Sequence, residues 1–154
     1  MMKKFILSFI IFVFVTNCGY SPLYSVKNNN INFKIGKINI AGDRDLNQNI
    51  VNQLKNVKSK DKNNNRIYNL TINTGIEKIV TSKDSKGNPK TYKMISTINL
   101  KTIKEGKEYS IELESVENYN DISSKFELEN FEKNLKKNSA SKITQEIILY
   151  LITL

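Results

Sequence analysis

Apolar side chains recur along this chain in three rhythms. From Phe5 to Val15 they run unbroken except for Ser8. From Ile31 onward they alternate with polar residues, then return every three or four positions, then alternate through three further segments, and finally return every three or four to the end. Alternation places every second side chain on one face of a strand, and three-and-four spacing places a stripe on one side of a helix. Ile31, Phe33 and Ile35 open a first strand, which Gly36 shifts by a bulge so that Ile38 and Ile40 continue it. Asp43 or Asp45 then caps a helix whose stripe is Leu46, Ile50, Leu54 and Val57, and the polar run Ser59 to Asn65 ends it.

Tyr68, Leu70, Ile72, Thr74 and Ile76 predict a second strand, Tyr92, Met94, Ile98 and Leu100 a third, and Tyr109, Ile111 and Leu113 a fourth. The turn formers Asp84 to Pro89 and the pair Glu105-Gly106 separate them, and Asn118 to Asp121 reads as a closing loop. Ser124 with Glu127 three residues later is a capping box for a long helix striped by Leu128, Phe131, Leu135, Ile143, Ile147 and Leu151. The order is βαβββα. One apolar sheet face and two apolar helix stripes predict a two-layer α/β sandwich, a four-stranded mixed sheet covered by two helices.

The leader has another purpose. Lys3 and Lys4 precede an apolar run of 11 residues, short of the roughly 20 that span a bilayer as a helix. That is the pattern of a signal peptide, residues 1–17, and the chain's single cysteine, Cys18, follows it directly. Val15-Thr16-Asn17 approximates the triplet ahead of a lipid-modified cysteine, with Asn17 standing where a smaller residue is usual. Cys18 is the expected lipidation site, residues 18–30 the anchor and tether, and residues 31–154 a single domain. Two or three fatty chains hold a protein on its membrane where one chain does so only marginally. Gly19 in place of Asp lacks the usual inner-membrane retention signal, which favours the outer membrane.

Composition narrows the chemistry. The chain has no histidine, and a lipidated Cys18 leaves the folded part without a thiol, which excludes Ser-His-Asp and Cys-His nucleophilic sites and histidine-based zinc sites. The six glycines are scattered singly, so no phosphate loop is present. A carboxylate-pair hydrolase survives this filter, although most Asp and Glu residues sit in the alternating charge patterns of solvated faces. The formal net charge of +9 falls to +7 on the side chains of residues 18–154, which suits an anionic partner.

Cys18-Gly19-Tyr20-Ser21-Pro22-Leu23-Tyr24 resembles the mature start of the lipopolysaccharide-assembly lipoproteins, Cys-Gly-aromatic-x-Pro-Leu-Tyr. Ser123-Ser124-Lys125-Phe126, followed by an acidic helix ending Lys142-Ile143-Thr144-Gln145-Glu146-Ile147-Ile148-Leu149-Tyr150-Leu151, is similar to that family's C-terminal helix. The resemblance implies an outer-membrane lipoprotein carrying diacylglycerol and an N-acyl chain on Cys18, with no other cofactor and no metal. It implies a plug inside the β-barrel that exports lipopolysaccharide, assistance in that barrel's assembly, binding of lipopolysaccharide, no catalysis and no nucleic-acid partner. A polar surface suits a water-filled barrel, and fixed cations suit phosphorylated lipid. Lys78, Lys83, Lys86, Lys90 and Lys93 around the second-to-third-strand hairpin are the candidate lipopolysaccharide-binding residues. The same lysines could instead guard a strand edge against aggregation. Lys133, Lys136 and Lys137 read as the outer face of the last helix. An adaptor lipoprotein of another envelope complex would have the same outward pattern.

Replacing Cys18 by Ala is expected to release the protein from its membrane without unfolding it, as cell fractionation would show. Mass spectrometry of the wild-type mature N-terminus should find a lipidated Cys18, and an unmodified thiol there would contradict the anchor.

Overall fold

The computed structural model describes residues 31–57 and 66–154. The leader, Cys18, the tether and the Ser59 to Asn65 run lie outside the described residues. Four strands form one sheet in the order β1-β2-β3-β4: β1 Lys34–Gly42, β2 Ile67–Lys83, β3 Pro89–Lys104 and β4 Lys107–Asn120. Helix α1, Arg44–Lys55, lies between β1 and β2, and α2, Lys125–Thr153, follows β4. The order is βαβββα, a two-layer α/β sandwich. A helical crossover returns the chain to the end where β1 began, so β1 lies parallel to β2, while the short turns make the other two pairings antiparallel. The bulge expected at Gly36 is present, the β1–β2 register shifting between Ile35 and Ile38.

Two turns explain where elements stop. At Gly42 the backbone has φ of +97° and passes so close to Thr74 that an added Cβ would sit 1.8 Å from the Thr74 carbonyl oxygen. Only glycine permits that approach, and the chain leaves the sheet there to enter α1. Glu105 and Gly106, with φ of +52° and +79°, join Lys104 to Lys107 in a two-residue turn whose twist suits a hairpin.

The main core fills the sheet half nearest the start of β2. Phe33, Leu46, Ile50, Ile72, Leu100 and Ile147 are among its members, each buried side chain contributing about 1.5–3 kcal/mol. A second, smaller cluster lies further along the hairpin, where Tyr92, Met94 and Tyr119 pack with Ile76, Leu128 and Leu135. Between the two the buried residues are small: Ser96 and Ser115 on the sheet, and Ser139 and Ala140 on α2. The Ser96 and Ser139 hydroxyls have no hydrogen-bond partner there.

Three expectations about strands and apolar positions change. Ile40 is 52% exposed because β1 is an edge strand and α1 does not cover its far side chain. Asn118, Tyr119 and Asn120 are strand rather than loop, since Tyr119 pairs with Tyr92 and extends β4. Phe131 is 39% exposed; the core-facing position on that turn of α2 belongs to Glu132, four residues after Leu128 and three before Leu135.

Asp43 is the cap of α1. Its Oδ1 accepts the Leu46 N–H at 2.8 Å and its Oδ2 accepts from the Lys136 ammonium at 3.0 Å. Lys136 is therefore not on the outer face of α2 but turned inward, also 3.7 Å from Asp45. One carboxylate thus starts α1 and ties it to α2. Burial pushes the Asp43 pKa up, yet the Leu46 N–H and Lys136 outweigh it and hold the carboxyl below the ordinary aspartate value.

A carboxylate with a lowered pKa stabilises the fold above its unfolded value and loses that contribution as pH falls through the folded one. Asp43→Ala should cost about 1–2 kcal/mol at neutral pH in urea unfolding, with a smaller difference at a pH low enough to protonate the wild-type carboxyl. Asp43→Asn, which keeps the cap but not the charge, should cost less. An equal loss at both pH values would contradict the ion pair.

Candidate functional site

The central strands outrun their cover. Pairing of β1 with β2 ends at Gly42 and Thr74, so from Gly75 to Lys83 strand β2 has β3 as its neighbour on one side alone. On this stretch the helix layer is the first half of α2. The hairpin ends at Asp84 to Asn88, and one side chain shapes that turn. Asp84 Oδ1 accepts the N–H groups of Lys86 and Asn88 at 2.9 and 2.8 Å, and Oδ2 accepts from the Asn88 amide at 3.0 Å. The Asn88 side chain foremost, then these backbone donors, hold the Asp84 carboxyl below its ordinary pKa.

Three of the five candidate lysines gather at this turn. Lys83 ends β2 opposite Pro89, Lys86 lies in the turn, and Lys90 follows at the start of β3, all exposed. The other two do not join them. Lys78 lies on the helix-covered face, its ammonium 2.5 Å from Glu132 Oε1 and 4.1 Å from the centre of the Tyr92 ring. Lys93 pairs with Ile79 and Asn118 on the opposite face of the sheet, which no helix covers. The five therefore divide into a turn cluster of three, one internal ion-pair member and one on the uncovered face.

Glu132 holds the second cluster together. Its Oε1 accepts from Lys78 and from the Tyr119 hydroxyl, the latter at 2.7 Å, so the carboxylate on the core-facing stripe of α2 is matched from β2 and from β4 at once. Tyr119 stacks on Tyr92 with ring centres 5.4 Å apart, and Phe131 leans on Tyr119 at 5.8 Å. Burial first, and the Glu132 carboxylate second, raise the Tyr119 pKa far above its ordinary value. Sequence reasoning missed this cluster because a carboxylate between two leucines of a stripe reads as surface.

Other surfaces are plainer. On the uncovered face Ile95 pairs with Val116, and Ile79 shares that face one row along, opposite Lys93. A furrow of about 460 Å³ runs between β1 and α1, lined by Ile35, Ile38, Ile40, Val51 and Leu54 with Gln48 and Lys55. Among the described residues no group of three or more acidic side chains is placed to hold a metal, and no helix is long and apolar enough to cross a membrane.

The architecture is that of solved lipoproteins. The chain superposes on the rare lipoprotein B of Shewanella oneidensis with a TM-score of 0.55 at 19% identity, covering 77% of this chain and 98% of that one. It matches lipoprotein B of Nitrosomonas europaea with a TM-score of 0.50 at 10% identity, covering 79% and 88% of the two chains. At these identities the likeness defines a shared fold. No protein-family model matches the sequence, and no curated protein matches it.

Glu132→Ala should leave the Lys78 ammonium and the Tyr119 hydroxyl without their acceptor. Both groups of the ion pair are partly solvated, so the expected cost is about 1–2 kcal/mol. Amide exchange should quicken along Gly75 to Lys83 while the main core stays protected. Uniform loss of protection across both clusters would contradict this division.

Proposed function

We propose that this chain is a lipid-anchored outer-membrane protein of lipopolysaccharide assembly. It is held by Cys18, seats its domain as a plug within the export β-barrel and helps that barrel assemble, and it presents Lys83, Lys86 and Lys90 to lipopolysaccharide. The observation that carries the reading is the joining of a lipoprotein leader and the Cys18 to Tyr24 string to this fold. The two solved proteins of the same fold are lipoproteins, which supports the anchored part of it.

The turn geometry suits the ligand. Asp84 spends its oxygens on the turn's own N–H groups, which fixes the loop and leaves three ammonium groups projecting from its rim. Flexible lysines on a fixed loop can meet several phosphates as point charges. Lys78 has no part in this contact, being committed to Glu132. The acids at Asp43, Glu117, Glu129 and Glu132 are engaged by lysines, an arrangement suited to a binding protein rather than to a pair of carboxylates flanking a scissile bond.

Replacing Lys83, Lys86 and Lys90 together by Gln should weaken lipopolysaccharide binding at least about tenfold and flatten its salt dependence, with melting unchanged. Unaltered affinity in the folded variant would remove these lysines from the site. Purification from native membranes should bring down a large β-barrel protein. Recovery of a different envelope complex would favour the adaptor reading.

A further inference from the structure

The charge of the domain is unevenly placed. Its sheet can be divided at the row where Thr71 pairs with Asn39 and Lys101. From that row to the end where β1 begins, the described residues carry seven basic side chains, Lys34, Lys37, Lys55, Arg66, Lys101, Lys104 and Lys107, against Glu105 and Glu108. The remainder of the described domain carries eleven basic and twelve acidic side chains. Many of those cancel locally, as in Lys78 with Glu132, Lys136 with Asp43, and Lys142 with Glu117. The net positive charge of the described domain therefore resides at one end.

That end is also where the chain from Cys18 arrives. Ile31 and Phe33 lead into β1 there, beside Arg66 and the start of β2. Two large apolar side chains are exposed on the same end, Ile67 at 55% and Ile103 at 60%. Strand alternation and the pairing of Leu70 with Thr102 put both on the uncovered face of the sheet. Two isoleucines with no helix above them, Ile67 in register with Lys34 and Ile103 beside the Lys101–Glu108 pair, match the boundary between phospholipid headgroups and acyl chains.

Geometry selects this end over the other. The 13 residues from Cys18 to Asn30 can span at most about 47 Å, whereas β2 alone, at 17 residues, is about 56 Å long. A lipid on Cys18 thus keeps the basic end near its bilayer, where a weak attraction acts at high effective concentration. Screening beyond about 8 Å confines that attraction to the side chains that reach the surface.

We propose that the tether end of the domain docks on an anionic phospholipid surface, with the exposed Lys55 and Lys107 meeting headgroup phosphates and Ile67 and Ile103 entering the interface, while Lys104 is held by the Leu154 carbonyl oxygen. The proposal rests on the Cys18 anchor of the preceding reading and is independent of the barrel. Docking fixes the domain's orientation and points the Asp84 turn away from the lipid surface.

Because Cys18 would be blocked by lipid, an introduced cysteine is a unique labelling site. The mature protein bearing Ile103→Cys, labelled with an environment-sensitive fluorophore, is reconstituted into phosphatidylcholine vesicles with or without phosphatidylglycerol. Phe126→Cys, at the opposite end and 73% exposed, is the control. The expected result is a blue shift at position 103 that needs phosphatidylglycerol and is reversed by high salt, with no change at position 126. Adding Lys55→Gln and Lys107→Gln should lower the docked population about tenfold or more. A position 103 signal indifferent to lipid charge, or an equal response at 126, would overturn the proposal. A second label per chain, on a free Cys18, would overturn the anchor instead. Docking of that unanchored chain would then be judged by sedimentation: pelleting with phosphatidylglycerol vesicles but not with phosphatidylcholine alone supports it, and pelleting with neither overturns it.

Discussion

The two central strands are longer than anything that covers or flanks them, and most features of the molecule follow from that mismatch. Strand β2 has 17 residues and β3 has 16, against 9 in β1 and 12 in α1. Of the two helices only α2, with 29 residues, spans both halves of the sheet. The half that α1 and α2 share has a mainly aliphatic core, with Phe33 and Tyr68 its aromatic members. The half covered by α2 alone has a smaller cluster in which tyrosine rings, a lysine and a glutamate replace much of that apolar packing. Glu132 is tolerated on the inward stripe of α2 because both its partners come from the sheet beneath it.

This construction gives the domain two unlike ends. Near the tether lies the main buried core and the surface is basic, with Ile67 and Ile103 exposed at the same end. At the far end the strands project as a hairpin whose turn is ordered by Asp84 and ringed by three lysines. Asp43 and Lys136 join the two helices midway, where α1 starts, so the short helix and the long one are held in register at the point where cover changes from double to single. An anchored protein with such polarity can keep one end on lipid and offer the other to a ligand.

Much of this was legible in the residues. Period-two alternation located all four strands, and the cap candidates, Asp43 or Asp45 for the first helix and Ser124 for the second, located both helix starts, Asp43 being the one that caps. What escaped had physical reasons. Asn118, Asn120 and Asp121 are turn formers by local preference, but Tyr119 gains a cross-strand partner in Tyr92, and that pairing overrides the preference. Phe131 outranks Glu132 in any apolar count, although Leu128 and Leu135 fix the stripe through position 132. The split among the five lysines was legible in principle. Lys78 shares the parity of Leu70, Ile72 and Thr74, whereas Lys93 lies out of phase with Tyr92 and Met94 and so faces away from them. The inward turn of Lys136 needed the tertiary fold, because its partner Asp43 lies 93 residues earlier in the chain.

The central claim is that the two ends of the domain face different surroundings in the envelope. Photo-crosslinking in living cells tests it most directly, with a photoreactive residue placed at Lys86 in one strain and at Lys107 in another. The account predicts adducts to lipopolysaccharide or to a β-barrel protein from position 86, and adducts to phospholipid from position 107. Identical partners at both positions, or phospholipid at 86 and lipopolysaccharide at 107, would contradict it.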